Sequence, residues 1–241
     1  QRVIMDVLQE QHQVFYDMVT VKNEKFDPEA QRPPAKAPQP WKPPEGCREP
    51  HRRVRGGSNF TGSGSMDHAF TASQCVDVEF YCDHNPALRE HSQQRHARAV
   101  ALTDARQLLT QPMPRDVDVF STSPTCPSHS TANLYRQGNK DEFGGLHYQQ
   151  QGTIIENSSC AVGHVECTVG VLDRQPGQRL SPFQELRRNA PSYWVSMHKI
   201  DAGLTVSPAT GSQSPMQHVR VHALFWKKSL FPTRPRLRYN C

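Results

Sequence analysis

The residues of this chain best able to do chemistry are its seven cysteines and twelve histidines. The cysteines stand at 47, 75, 82, 126, 160, 167 and 241, and two pairs repeat one spacing, Cys75 with Cys82 and Cys160 with Cys167. Zinc sites usually draw on closer pairs set on a tight knuckle. In an extended strand the members of either pair would lie about 23 Å apart, too far to form a disulfide with each other. His164, inside the second pair, is the feature that gives a metal reading any substance; reduced structural thiols fit the spacing better. Ser181, His164 and Asp173 are the residue types of a nucleophilic triad, but no nucleophile elbow surrounds the serine. His91 and His96 are five apart and do not share a helical face. No phosphate-binding P-loop is present, and no G-x-G-x-x-G follows a strand. The expectation is a protein without catalytic residues, metal or cofactor.

The elements available to position such residues look sparse. Leu, Ile, Val and Phe make up just under a fifth of the 241 residues, a level at which disorder becomes plausible, although the net charge of +5 is too small to hold the chain open by self-repulsion. From Ala202 to Cys241 there is no acidic residue, while Arg220, Lys227, Lys228, Arg234, Arg236 and Arg238 are basic. Such a tail seeks an anionic surface such as RNA, acidic protein or lipid. No apolar run approaches the ~20 residues that span a bilayer. The chain starts at Gln1, so a leader could have been removed or the numbering could begin inside a longer product.

Along the chain, Ile4, Leu8, Phe15 and Met18 recur at helical spacing and predict an amphipathic helix over residues 1–26 that docks on a later element or on a partner. Residues 27–66 read as an extended strap. Its first part is rich in proline and favours polyproline II, with Trp41 needing a surface to lie on, and "RRVRGGSNFTGSGS" adds a flexible basic linker. Residues 67–151 should hold a short strand at Val76, Val78 and Phe80, then a helix capped by Asn85 and Pro86 running to about Thr110. A short alternating piece from Val117 to Val119 and a Ser/Thr/Pro loop follow, and "GNKDEFGG" is a turn. A small α+β region of short antiparallel strands is expected over 152–231, with a capping box at Ser181 and Gln184 and with Trp194 and Trp226 in its core; residues 232–241 form the basic tail. The fold class is therefore a largely extended, irregular chain with a few helices. Two N-glycosylation triplets begin at Asn59 and Asn157.

The stretch Leu88 to Ser130 resembles the charged helix and Thr-Ser, turn, Ser-His loop of ciliary doublet microtubule inner proteins. That resemblance implies a non-catalytic staple on tubulin in the axoneme, with Arg95, Arg98, Thr122, Ser123 and His129 in contact with its partners. Ile4, Leu8, Phe15, Met18, Trp41, Trp226, Lys227, Lys228, Arg234, Arg236 and Arg238 are further contact candidates, acting as several weak sites on one chain. The alternatives are an accessory subunit of a mitochondrial ribosome or respiratory complex, where the tail would meet RNA, and a secreted disulfide-bearing glycoprotein.

Overall fold

The stretch expected to be a flexible basic linker is instead a central strand. In the computed structural model the described residues are 53–62, 64–72, 75–124, 129–130, 145–174, 178–201 and 219–235. Strand β1 (Val54–Asn59) pairs in parallel with β2 (Val76–Cys82) on one side and with β4 (Val119–Thr122) on the other. Strand β3 (Val100–Leu102) adds to β2 and β5 (Val162–Thr168) to β4, both in parallel. With β6 (Tyr193–Asp201) and β7 (Val219–Lys227) the sheet has seven strands in the order β3-β2-β1-β4-β5-β7-β6. β7 runs against β5: Lys227 N donates to Ala161 O at 3.1 Å, and Cys167 Sγ reaches Val221 O at 3.6 Å near the opposite end.

Glycine is required in β1 because both faces of the strand are occupied. A Cβ at Gly56 would lie 2.8 Å from Val76 Cγ1 and 3.1 Å from the Phe70 ring, on the side covered by helix α1 (Ser65–Ala72). At Gly57, pointing the other way, it would lie 2.3 Å from the Phe80 ring. Phe80 stacks on Phe120 with centroids 6.1 Å apart. Both belong to the core formed with Ile154 and Ile155 of α4 (Gly145–Ser158) and Leu186 of α5 (Pro182–Arg188). Helix α2 (Pro86–Arg95) packs on β2, the short α3 (Gln107–Thr110) packs on α4, and a 3₁₀ turn (Val169–Leu172) follows β5. A modest stock of apolar residues suffices because parallel strands bury their side chains on both faces.

The chain divides into two units. One, Arg52–His198 with Val221–Pro235, carries the core just described; of the other, Gln1–His51, Lys199–Arg220 and Arg236–Cys241, the described residues are 199–201 and 219–220.

A seven-stranded α/β sheet replaces the expected extended chain, and the region 152–231 contributes only three of its strands. Local signals fared better. Asn85 caps α2, its Oδ1 accepting from Ala87 N at 3.0 Å, and the capping box of Ser181 and Gln184 opens α5. The helix expected to reach Thr110 stops at Arg95, because Val100–Leu102 gains strand pairing along β2 that a weakly apolar helix could not match. The helix over 1–26 and the proline strap with Trp41 lie outside the described residues. Among those described, no helix is long and apolar enough to cross a membrane, and no group of three or more His, Cys, Asp or Glu could hold a metal.

Candidate functional site

In an open parallel sheet the chain leaves neighbouring strands in opposite directions at one point, and ligands bind in the crevice beyond the carboxyl ends there. Here β1 leads to β2 on one side while β4 leads to β5 on the other, so the switch point lies between Asn59 and Thr122, which are paired in register.

After Asn59 the backbone makes a turn that places Phe60, Gly62 and Gly64 at φ of 55°, 54° and 77°. Glycine adopts such angles freely; for Phe60 they are strained by about 1 kcal/mol or more. The turn is anchored to the end of β2. Thr61 donates to Cys82 O through its N–H at 3.1 Å and its hydroxyl at 3.0 Å, and Gly62 N donates to Asp83 Oδ2 at 2.8 Å. The other oxygen of Asp83 accepts from Asn85 N at 2.9 Å. One buried carboxylate thus fixes both the glycine turn and the cap of α2. Asp104, just past β3, is held by its ion pair with Arg106 at 2.9 Å.

On the α4 side of the switch point the buried groups are polar. Gln151 Oε1 accepts from Thr122 Oγ1 at 3.0 Å and from Asn59 Nδ2 at 3.3 Å, tying the ends of β1 and β4 to α4. Beside them His129 is buried edge-on to Tyr148, with ring centroids 4.9 Å apart. Its backbone passes so close to Gly170 that any Cβ there would meet the His129 carbonyl oxygen at 1.8 Å. On the α1 side, Asp67 in the first turn of α1 is fully buried, and burial pushes its carboxyl up to about 6.

Farther along the sheet a row of polar groups crosses three strands. Ser121 Oγ bonds His164 Nδ1 at 2.9 Å, and His164 Nε2 bonds His222 Nδ1 at 3.1 Å. His164 therefore engages Ser121, while Ser181 is spent on capping α5, so the triad of Ser181, His164 and Asp173 does not exist.

No family model and no curated protein matches this sequence. Solved structures do. The chain is similar to an Escherichia coli prophage protein assigned as a DNA modification methyltransferase, with TM-score 0.52 and 12% identity over 74% of this chain and 48% of that one. It is also similar to Schizosaccharomyces pombe Dnmt2 methyltransferase, with TM-score 0.54 and 14% identity over 77% of this chain and 52% of that one. A Spodoptera frugiperda DNMT2 mutant gives TM-score 0.51 and 15% identity over 78% of this chain and 53% of that one. The fold is the Rossmann-like methyltransferase fold. The chain spans about half the length of these methyltransferases.

The methyltransferase fold overturns the microtubule inner protein resemblance. The stretch Leu88–Ser130 that suggested it contains most of α2, then β3, α3 and β4, integral parts of this sheet. The non-catalytic tubulin staple falls with it, as do the ribosomal and respiratory-complex readings and the expectation that the chain is not an enzyme. The secreted glycoprotein also fails: Cys82, Cys160 and Cys167 are buried free thiols, and Asn59 of the first glycosylation triplet is buried at the switch point.

The residues expected to meet partners are scattered over this fold. Arg95 and Arg98 are exposed around the end of α2, whereas Thr122 and His129 are buried at the switch point beside half-buried Ser123. Trp226 is a core residue, 5.5 Å from the Phe231 ring. Lys227 Nζ donates to Ser159 O, Lys228 Nζ to Pro191 O, and Arg234 Nε approaches Ser196 Oγ at 3.5 Å. Ile4, Leu8, Phe15, Met18, Trp41, Arg236 and Arg238 lie outside the described residues. Sequence reasoning missed Asn59, Phe60, Gly62, Asp67 and Asp83. The available signal was G-x-G at Gly62 and Gly64 followed, about twenty residues later, by an acidic residue at the end of an alternating strand.

Proposed function

We propose that this chain is the cofactor-binding and catalytic part of an S-adenosylmethionine-dependent methyltransferase acting on a base of DNA or RNA. The observation that carries this reading is the sign of charge at the glycine turn. A dinucleotide cofactor would bring a pyrophosphate and favour cationic or neutral surroundings. From Gly56 to Ala72 the chain has no Lys or Arg to meet a pyrophosphate and one acidic residue, Asp67, while Asp83, at the end of the next strand, would serve the ribose of either cofactor. That cradle suits a cation.

S-adenosylmethionine, when bound, supplies an electrophilic methyl group on a positively charged sulfur. The residues that would hold it are the backbone of Phe60, Thr61, Gly62 and Gly64, the two glycines presenting no side chain, and the carboxylates of Asp83 and Asp104. Each oxygen of Asp83 is engaged by one N–H and keeps a further lone pair for a hydroxyl or amine, whereas both oxygens of Asp104 already accept from Arg106. The hydrogen bonds of Asp83 to Gly62 and Asn85 orient the turn before a ligand arrives, and the links of Gln151 to Asn59 and Thr122 hold β1 and β4 together beneath it.

A nucleic acid substrate is supported by the similarity to a prophage protein named as a DNA modification methyltransferase and by the six basic residues, without one acidic residue, between Ala202 and Cys241. Among the described cysteines, Cys82 is unsuited to nucleophilic chemistry: burial first, then Asp83 and Asp104, pushes its thiol up to about 12. Burial likewise raises the Cys160 thiol. Cys126 follows the last described residue of the β4 loop, Pro124, by two positions in the chain. By that chain position it is our candidate nucleophile toward an electron-poor ring carbon of the base.

The test is calorimetric titration with S-adenosylmethionine and with NAD, followed by transfer of a radiolabelled methyl group to DNA and to RNA. Binding of the first ligand alone, with label entering one nucleic acid, is expected. Binding of NAD alone would overturn the reading. Cys126→Ser should retain cofactor binding and lose transfer.

A further inference from the structure

The first turn of α1 holds a buried carboxylate with no cationic partner among the described residues. Asp67 is fully buried, and neither of its oxygens accepts a sound hydrogen bond among the described residues. The Ser58 hydroxyl is near enough to ease the charge without making such a bond. Ser58 Oγ in turn lies 3.3 Å from Thr61 Oγ1, inside the glycine turn, so one side chain separates Asp67 from the cradle.

Among the described residues, the charged and titratable groups around Asp67 leave its charge uncancelled. Tyr81 of β2 lies within electrostatic reach of both Asp67 and Arg89, and its phenol donates to Gln93 Oε1 at 2.6 Å. Arg89 of α2 spends its guanidinium on the carbonyl oxygens of Asp83 and His84, at 2.9 and 2.7 Å. Asp83 is engaged by Gly62 and Asn85. Asp67 is the only described acidic or basic side chain of α1.

We propose that Asp67 is a positioning charge that weights this site toward the cationic methyl donor and against its neutral thioether product, acting through the field in a low-dielectric interior. The proposal rests on the methyltransferase reading of the same site. Its chemical logic is turnover: donor and product share nearly every group, and loss of the methyl group removes the positive charge from sulfur. A carboxylate held bare beneath the turn distinguishes the two where shape cannot, and speeds exchange of spent product for fresh donor. An unpaired charge in such an interior still acts over several ångströms. Hydrogen bonding to a neutral side chain at this position would discriminate far less.

The experiment is calorimetric titration of the full chain with S-adenosylmethionine and S-adenosylhomocysteine, near pH 7 and near pH 5, for the wild type and Asp67→Asn. The donor-to-product affinity ratio should fall by about tenfold in Asp67→Asn near pH 7. In the wild type the ratio should shrink toward pH 5, where Asp67 takes up a proton, and in Asp67→Asn it should not depend on pH. A residue with a structural role alone would move both affinities together, and an unchanged ratio overturns the proposal. If neither ligand binds the wild type, the methyltransferase reading itself has failed, an outcome distinct from an unchanged ratio.

Discussion

Replacing Asp67 by Asn should stabilise the protein in a way that depends on pH. An aspartate in the unfolded chain titrates near 3.8, whereas in the folded protein desolvation by burial, eased slightly by Ser58, pushes Asp67 up to about 6. The folded state thus holds the proton more tightly than the unfolded state. As pH rises through the window from about 4 to about 6, the unfolded chain gives up its proton first and stability falls. Well above both values the full effect is about 3 kcal/mol of destabilisation, since each pKa unit corresponds to about 1.4 kcal/mol. That is a large share of the ~5–15 kcal/mol by which domains are stable. Asn carries no charge at any pH, so whatever its amide loses by burial is the same throughout. The stability of Asp67→Asn relative to wild type should therefore grow by about 2 kcal/mol between pH 4.5 and pH 7.5. Urea unfolding of both proteins at the two pH values measures this directly, because the other titrating groups cancel in the difference. A relative stability that stays flat, or that moves against the variant as pH rises, would show that Asp67 is solvated or paired.

Three further perturbations probe the frame around the site. Gly57→Ala should cost about 1–3 kcal/mol in chemical denaturation, because its methyl group enters the space of the fully buried Phe80 ring, 2.3 Å away; wild-type stability would mean that Phe80 can move aside. Asp118→Ala should cost about 2 kcal/mol: the buried carboxylate accepts from Arg55 N at 2.9 Å and from Arg55 Nε at 3.3 Å, and raises the Arg55 pKa. Arg55→Ala in the same background should then add little, and full additivity would show that the two do not act as a pair. Tyr193→Phe should cost about 1–2 kcal/mol, because its hydroxyl donates to Cys160 O at 2.8 Å in the core; an unchanged urea midpoint would rule out that bond.

The local chemistry of the chain was legible in advance, and its assembly was not. The cap at Asn85, the capping box at Ser181 and the alternation from Val76 to Phe80 depend on residues within a few positions of one another, so sequence alone determined them. The same holds for the basic excess after Ala202 and for the absence of a long apolar span.

Tertiary structure alone decided what Gly56 and Gly57 are for. A glycine pair in a polar, basic setting reads as a flexible linker, since nothing nearby in the chain shows that Val76, Phe70 and Phe80 fill the space where its Cβ atoms would go. Once those side chains close on β1, the residues that follow change meaning as well. Asn59 ceases to read as a glycosylation site and becomes a buried link from β1 to α4, Gly62 and Gly64 become part of the turn at the switch point, and Asp83 becomes its brace from more than twenty residues away. Parallel pairing joins distant segments, so the residues that define this site are adjacent only after the chain has folded.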